Sequence, residues 1–448
     1  MTPQEFEHAL RIGLGRAILW LRNRDATPYR DVILECCLHN TAYDRQVEGS
    51  RARYMLDILA ATPDAAWYGD RISAALMNLA PDTEAHDLHQ QLDIALVFAQ
   101  RGGIRAREAI YARFAASVAD DDDLGLRAVV RLDGASGLAY AIGALEPHIG
   151  DYVGTEAEEL RELAEERSGE AETERLLKEV AAANPALQSF VKSALRRRHP
   201  AAAPSEAAKA RSIQRQRRPH PGPLDSLRYA ELKEGLVTGT KGYSRANLER
   251  WGRAASEEDV LRAALDLAST TDPKQLLRYV YLFIRRPFPL DPTPLIQLMK
   301  SDDFEVTWPT AQALARLKHP DVRQLALRSI GLADTAAWAV ALLLENLAPG
   351  DERQVEAGLR LPFTHDFDRH AYGMELLKIG ERYGWAATTR ALFTLYETGL
   401  CSNCRGRVLK QLEGRGELSE ALITEALHDS AEDTRKWARD VIVERRSA

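Results

Sequence analysis

The sequence predicts an all-α protein made of stacked antiparallel helix pairs. Apolar residues recur at helical spacing in many segments, for example in Val260–Leu267 and Tyr372–Tyr383. The alternation typical of β-strands is confined to the short runs Ala128–Leu132 and Tyr279–Ile284, and both runs lie inside helical patterns. We expect roughly twenty or more short helices, and turns of about two to six residues favour antiparallel neighbours. A stack of helical pairs, an α-solenoid, accommodates that many short helices.

Helix beginnings are marked by threonine or aspartate followed by proline. The first side chain can accept a hydrogen bond from a free backbone N–H, and proline suits the first helical position. These pairs are Thr2-Pro3, Thr27-Pro28, Thr62-Pro63, Asp272-Pro273 and Asp291-Pro292. Capping-box spacing occurs at Thr2 with Glu5, at Thr155 with Glu158 and, with aspartate, at Ser256 with Asp259.

Two segments are apolar on nearly every side, Leu276–Ile284 and Trp338–Leu347. A helix of this kind needs neighbours on several faces to remove its surface from water. We therefore expect both helices to lie between other helices.

A basic segment divides the chain into two blocks. Residues 195–223 are rich in proline, alanine and arginine and have no apolar stripe, which is typical of a linker or an extended loop. The predicted division is an N-terminal helical-repeat block at 1–195, a basic linker at 196–223 and a C-terminal repeat block at 224–448.

Two stretches of the C-terminal block resemble the second half of a HEAT repeat. In Leu317–Gly331 and in Leu427–Ala438, a turn aspartate is followed by an arginine and, three residues later, by an alanine. In that family the aspartate caps the second helix, the arginine pairs with an aspartate of the adjoining repeat, and the alanine permits close helix contact. Asp303–Ala311 keeps the outline but has Thr307 in the place of the arginine, so a regular aspartate–arginine ladder is not expected. The resemblance implies a HEAT-like solenoid and no particular chemistry.

Composition and charge indicate a reduced, cytoplasmic protein that does not enter a membrane. The net charge of −7 argues against a chain built throughout to bind duplex nucleic acid. The four cysteines form no disulfide framework, and the N-terminus has no signal-peptide pattern. The longest apolar stretch, Trp338–Leu344, is far shorter than the roughly 20 residues of a membrane span.

Several motifs suggest catalysis or metal binding but fail on spacing. Cys401 and Cys404 have the spacing of half a zinc site without a matching second half. The histidines of Thr364–His370 and of His86–His89 are explained by a polar turn and a solvated helix face. Gly235–Gly242 lacks the residue order of a phosphate-binding loop and reads as a flexible turn. We therefore predict no catalytic residue, no metal site and no cofactor.

One polar segment is a candidate partner-binding site. Amide, imidazole, phenol, carboxylate and guanidinium groups crowd a single predicted helix junction, as is typical of polar recognition. Its candidate residues are His39, Asn40, Tyr43, Asp44, Arg45, Glu48 and Arg51. The alternative is a structural network that joins two helices.

Basic residues offer a second candidate surface, for nucleic acid or an acidic partner. In the linker they are Arg196, Arg197, Arg198, Arg215, Arg217 and Arg218. The segment carries no aromatic side chain for base stacking, so such binding is expected to be weak and unspecific. A further basic cluster on one predicted helix consists of Arg405, Arg407, Lys410 and Arg415.

The leading functional hypothesis is a non-catalytic scaffold or adaptor that binds another protein through a solenoid surface. The alternative is a HEAT-like nucleic-acid-binding protein, which includes proteins resembling the helical-repeat DNA glycosylases. A third hypothesis is an enzyme with a site near His39–Arg53.

Overall fold

The computed structural model describes residues 1–80, 83–120, 123–196, 224, 226–239, 242–383 and 386–447. These residues form α-helices and three short 3-10 helices, with no β-strand among them. The predicted all-α class is confirmed. Contacts divide the chain into two compact units, Met1–Ala203 with Cys401–Asn403 and Ser419–Ala448, and Pro204–Leu400 with Cys404–Leu418.

The described residues of the first unit form fourteen α-helices, which come from its N-terminal and C-terminal segments. From the N-terminal part they are α1 (Pro3–Ile12), α2 (Arg16–Leu21), α3 (Arg30–Leu38), α4 (Arg45–Glu48), α5 (Ala52–Ala60), α6 (Ala65–Met77), α7 (Ala85–Gln100), α8 (Ile104–Ala119), α9 (Leu126–Ala144), α10 (Thr155–Ser168), α11 (Glu170–Ala183) and α12 (Gln188–Ala194). The 3-10 helices are Thr27–Tyr29, Glu146–Tyr152 and Pro185–Leu187.

The second unit follows along the chain, and the last two helices return to the first unit. The middle helices are α13 (Tyr229–Thr238), α14 (Arg245–Ala254), α15 (Glu257–Ser269), α16 (Pro273–Tyr281), α17 (Thr293–Leu298), α18 (Phe304–Leu314), α19 (Pro320–Ser329), α20 (Ala333–Leu342), α21 (Glu352–Gly358), α22 (Asp366–Tyr383), α23 (Ala386–Thr398) and α24 (Ser402–Gly414). The last two are α25 (Glu420–Ala426) and α26 (Glu432–Ser447). The predicted division placed α25 and α26 in the C-terminal block, whereas their contacts lie with the first unit.

Of the five predicted threonine–proline and aspartate–proline caps, those at Thr2 and Asp272 are present. The other three are wrong, because the N-caps of the helices near Thr27, Thr62 and Asp291 are Ala26, Asp64 and Pro292. Thr2 forms the full capping box with Glu5, and Asp272 accepts the backbone N–H of Gln275. Ser256 likewise accepts the N–H of Asp259. The box predicted at Thr155 is wrong, because Thr155 is already the first residue of α10, after the N-cap Gly154.

The core of the first unit has a sharp bend inside α9. Gly134 lies at φ 58° and ψ −128°, a backbone region open to glycine but strained for any residue with a Cβ. A Cβ there would lie 2.1 Å from Ser168 Oγ, the atom that accepts the backbone N–H of Ala135. The bend therefore lets α9 pack closely against the end of α10.

Alternate helices contact one another along the second unit. The series α14, α16, α18, α20 and α22 forms successive contacts, and α20 also contacts the intervening α19 and α21. Residues Ala336–Leu342 of α20 are buried, so this helix lies between neighbours as its sequence predicts.

In the first stretch that resembles a HEAT repeat, Arg323 of α19 pairs with Asp351, the residue just before α21. Arg323 donates to both carboxylate oxygens of Asp351, at 3.1 and 2.6 Å, and Ala326 is fully buried. In the second stretch, Ala438 is fully buried, but Arg435 donates instead to the backbone carbonyls of Asp429 and Ser430. The described chain thus shows the expected pairing at Arg323 and a different one at Arg435.

This pairing leads to a measurable expectation. Arg323→Ala is expected to destabilise the second unit by about 1–3 kcal/mol, because Asp351 is largely buried and loses a two-point hydrogen-bonded partner. A double-mutant cycle with Asp351→Asn, measured by urea unfolding, should show a coupling of about 1 kcal/mol or more. Strictly additive losses would mean that the pair adds nothing to stability.

No single helix of the described residues is long and apolar enough to cross a membrane. Among the described residues, one pair of helices, Leu126–Ala144 and Glu146–Tyr152, would be long and apolar enough if taken together, but the chain bends by 110° between them. Most residues of α9 are buried in the core of the first unit, and their apolar character is explained there.

Candidate functional site

The polar segment predicted as a partner site is held by α7. The side chain of Asp87 accepts the backbone N–H of Asn40 at 2.7 Å and faces His39 Nδ1 at 3.0 Å. Gln90 donates to the carbonyls of Cys36 and Cys37 at the end of α3 and accepts the N–H of Arg51. The segment therefore satisfies backbone groups that a helix end and a loop leave unpaired.

An ion pair lies at the centre of this network. The side chains of Arg51 and Glu48 are 4% and 2% exposed and approach to 3.4 Å. Glu48 also accepts the backbone N–H groups of Asp44 and Ser402, each at 3.0 Å. Burial raises the pKa of Glu48, but these hydrogen bonds and the charge of Arg51 outweigh burial, so the pKa is lowered.

Few of the seven candidate residues present their polar groups to solvent. Asn40 and Arg51 are buried, and Asp44 caps α4 with its side chain. The His39 side chain is 58% exposed, while Arg45 is tied to Glu84 in an ion pair. Contacts that join α3, α4 and α7 include His39, Asn40, Asp44, Arg45, Glu48 and Arg51. A role of the seven candidate residues in binding a partner stays a prediction.

Of the second candidate surface, the basic residues of the predicted linker, only part lies within the described residues. Arg196 is exposed, whereas Arg197, Arg198, Arg215, Arg217 and Arg218 lie outside the described residues. The expected basic cluster of α24 does not form a basic face: Arg405 is completely buried and Arg407 pairs with Glu381. Arg415 donates to the carbonyl of Gly380 and to Thr388. Helical spacing predicted a common face, but the guanidinium groups of the three arginines are engaged within the fold, and of the cluster Lys410 is exposed.

Two of the motifs that failed on spacing lie among closely packed side chains. Cys404 is buried, and its sulfur lies 3.3 Å from His370 Nε2 and 3.4 Å from Met374 Sδ. Gly235 is not part of a flexible turn as predicted, because it lies within α13 against the ring of Tyr243. Helix packing accounts for Gly235 without any phosphate.

Sequence reasoning missed an exposed aromatic patch in the second unit. The patch consists of Phe304, Trp308 and Phe367, whose ring centroids are 5.7 to 6.3 Å apart. Phe304 and Phe367 are 47% and 52% exposed, although their rings are in mutual contact. Leu332, 61% exposed, is the N-cap of α20, and α20 packs between the two helices that carry the rings.

The aromatic patch forms where helices of one series begin together. Phe304 and Phe367 lie in the first turns of α18 and α22, and both helices contact α20. The acidic residues of these helix beginnings are Asp302, Asp303, Glu305, Asp334, Asp366 and Asp368. Burial raises the pKa of Asp368, the nearby His365 offsets part of that rise, and the charge of Asp334 adds to it. Apolar rings and negative charge thus occur together on this surface.

Two of the cavities in the described part of the first unit are lined by charged residues. The larger, of about 350 Å³, is lined by four arginines, a histidine and an aspartate. The smaller, of about 250 Å³, includes Asp93 and Arg131. Burial raises the pKa of Asp93, and a hydrogen bond with Ser50 and the charge of Arg131 offset part of that rise.

Comparison with known proteins gives no relative from which a role could be carried over. No family model, no curated protein and no solved structure matches the chain. The evidence for function therefore lies in the surfaces and cavities of the described residues.

Proposed function

We propose that the protein is a non-catalytic scaffold that binds another protein, and that its second unit is a HEAT-like stack of helical pairs. Three features support the architecture: alternate helices contact one another, α20 lies between its neighbours, and Arg323 reaches Asp351 in the next pair. A stack of this kind keeps its core while its surface residues vary, which suits partner binding.

The aromatic patch carries the proposal. Large aromatic side chains are the commonest anchors of protein interfaces, and an exposed apolar patch with a polar rim marks an interaction site. The acidic residues around Phe304 and Phe367 define the partner's chemistry by charge complementarity. The partner is therefore a protein segment with a bulky apolar residue flanked by lysine or arginine.

A selection from random twelve-residue peptides displayed on phage tests this proposal. The full-length protein is expected to enrich peptides with a bulky apolar residue and a net positive charge. A synthetic copy of the strongest peptide should bind at least about tenfold more weakly to Phe367→Ser, because a central anchor is lost. Binding should also weaken between about 50 and 500 mM NaCl, since the rim charges are exposed.

The matched control is Leu265→Ser, which removes an apolar side chain that is 55% exposed in α15 and outside the aromatic patch. Its affinity for the peptide should equal that of the wild type. Equal loss in both variants, enrichment of acidic peptides or no enrichment at all would each overturn the proposal.

A further inference from the structure

The larger cavity of the first unit has the lining of an anion-binding site. We call it the arginine pocket. It is enclosed by the end of α2, by α5, by the turn after α25 and by α26. Its lining consists of Ile18, Arg22, Arg53, Asp57, Ala60, Ala61, Leu427, His428, Arg435 and Arg439. Four guanidinium groups therefore share a space of about 350 Å³ with a single carboxylate.

Direct contacts hold the walls of the arginine pocket together. Arg16 pairs at 2.8 Å with Glu425, whose side chain is 9% exposed. The backbone N–H of Ser430 donates to the carbonyl of Gly13, and Tyr54 donates to that of Leu14. The elements that carry the arginines are thus fixed against one another before any ligand arrives, which lowers the entropic cost of binding.

Among the residues that line the pocket, positive charge exceeds negative charge. Arg53 lies 3.6 Å from Asp57. Within the described part of the chain, neither Arg22 nor Arg439 has a carboxylate within 4.0 Å. Arg435, which is 9% exposed, uses its Nη1 on two backbone carbonyls. Among the lining residues one carboxylate, that of Asp57, faces four guanidinium groups, and the charges of Glu432 and Asp429 also act on Arg435.

His428 lies in the pocket beside one of these arginines. Its Nε2 lies 3.0 Å from a terminal nitrogen of Arg22. Burial lowers the pKa of His428, the charges of Arg22 and Arg435 lower it further, and the charge of Asp57 offsets part of that shift. An anion placed among these groups would relieve the repulsion and complete their hydrogen bonds.

We propose that the arginine pocket binds the phosphoryl group of a small organic phosphate. Guanidinium forks match pairs of phosphate oxygens, and several arginines together recognise a multiply charged anion. Ile18, Ala60, Ala61 and Leu427 supply an apolar wall for the organic part of the ligand. The volume lies at the lower end of the range of small-molecule sites, which is about 300–1,000 Å³.

Isothermal titration of the full-length protein with inorganic phosphate and pyrophosphate, at constant ionic strength, tests the proposal. Pyrophosphate is expected to bind more tightly than phosphate because it offers more oxygen atoms and charge. Arg22→Gln and Arg439→Gln should each weaken pyrophosphate binding roughly tenfold, the loss of about one charge-assisted contact. Asp57→Asn should strengthen it several-fold, because the one competing carboxylate is removed.

Arg446→Gln is the matched control, since it removes an exposed arginine of the same helix that does not line the pocket. Its affinity for pyrophosphate should be unchanged. Absence of heat with both anions, or equal weakening by Arg446→Gln, would refute the phosphate site. Citrate bound as tightly as pyrophosphate would also overturn it, by replacing phosphate with polycarboxylate.

Discussion

Replacement of Gly252 by alanine is expected to destabilise the second unit by about 3 kcal/mol, one of the largest single effects in the chain. Gly252 is buried in α14, and a Cβ there would lie 1.8 Å from the backbone carbonyl oxygen of Leu282. A backbone oxygen cannot rotate away as a flexible side chain does, so α14 or the end of α16 has to move. The first thermal transition should shift down by about 6–12 °C.

A second glycine provides the control for this measurement. Gly414 is the last residue of α24, and a Cβ there meets nothing within 4 Å. Gly414→Ala is expected to leave stability unchanged or to raise it by up to about 1 kcal/mol, because alanine favours helix over glycine. If Gly252→Ala unfolds at the wild-type temperature, α14 and α16 are not packed as closely as the structure shows.

The helical class was predictable because it rests on local chemistry. Capping residues such as Thr2, Ser256 and Asp272 act within one helical turn, so their signal is present in a few consecutive residues. The burial of α20 followed from a segment that is apolar on every side. The prediction failed at Thr155 because Gly154, with φ at 92°, is the N-cap. The helix therefore begins at Thr155 itself and not at the residue after it.

The return of α25 and α26 to the first unit could not be predicted in the same way. It depends on contacts between distant residues, such as Arg16 with Glu425 and Ser430 with Gly13. Neither residue of either pair is distinctive in its own neighbourhood. The boundary between the two units after Ala203 falls within the predicted linker. Nothing in the sequence near that linker indicates that residues 419–448 belong to the first unit, as the contact of Arg16 with Glu425, 409 positions apart, does.

The candidate sites also depend on contacts between residues that are distant in the sequence. The polar crowding at residues 39–51 was visible, but the partners on α7 that make it a network, Asp87 and Gln90, lie about 40 to 50 positions away. The aromatic patch combines Phe304 and Trp308, four residues apart on one helix, with Phe367 on another. The spacing of Phe304 and Trp308 on one helix is visible in the sequence. The sequence does not show that their rings meet Phe367 and that the patch remains exposed, because both depend on packing.

The buried pair at the centre of that network gives the second large expected effect. Arg51→Met should destabilise the first unit by about 3–5 kcal/mol, because Glu48 would be left as a buried charge without its cation. The backbone carbonyl of Arg11 and the hydroxyl of Thr41 would also lose a donor. Arg101→Met, at an exposed position outside the network, should cost less than about 0.5 kcal/mol in the same urea titration.

The pH dependence tests the assignment of that charge to Glu48. The lowered pKa of Glu48 means that its contribution is fully present above the unfolded-state value of 4.5 and is lost as the pH falls through the folded-state pKa. Glu48→Gln should therefore be less stable than the wild type at pH 7, and the difference should shrink progressively below about pH 4.5. A difference that stays constant from pH 7 to pH 3 would show that the ionised carboxylate is not what stabilises the network. Glu172→Gln serves as the control, because its carboxylate also has a lowered pKa but is exposed, so its effect at pH 7 should be small.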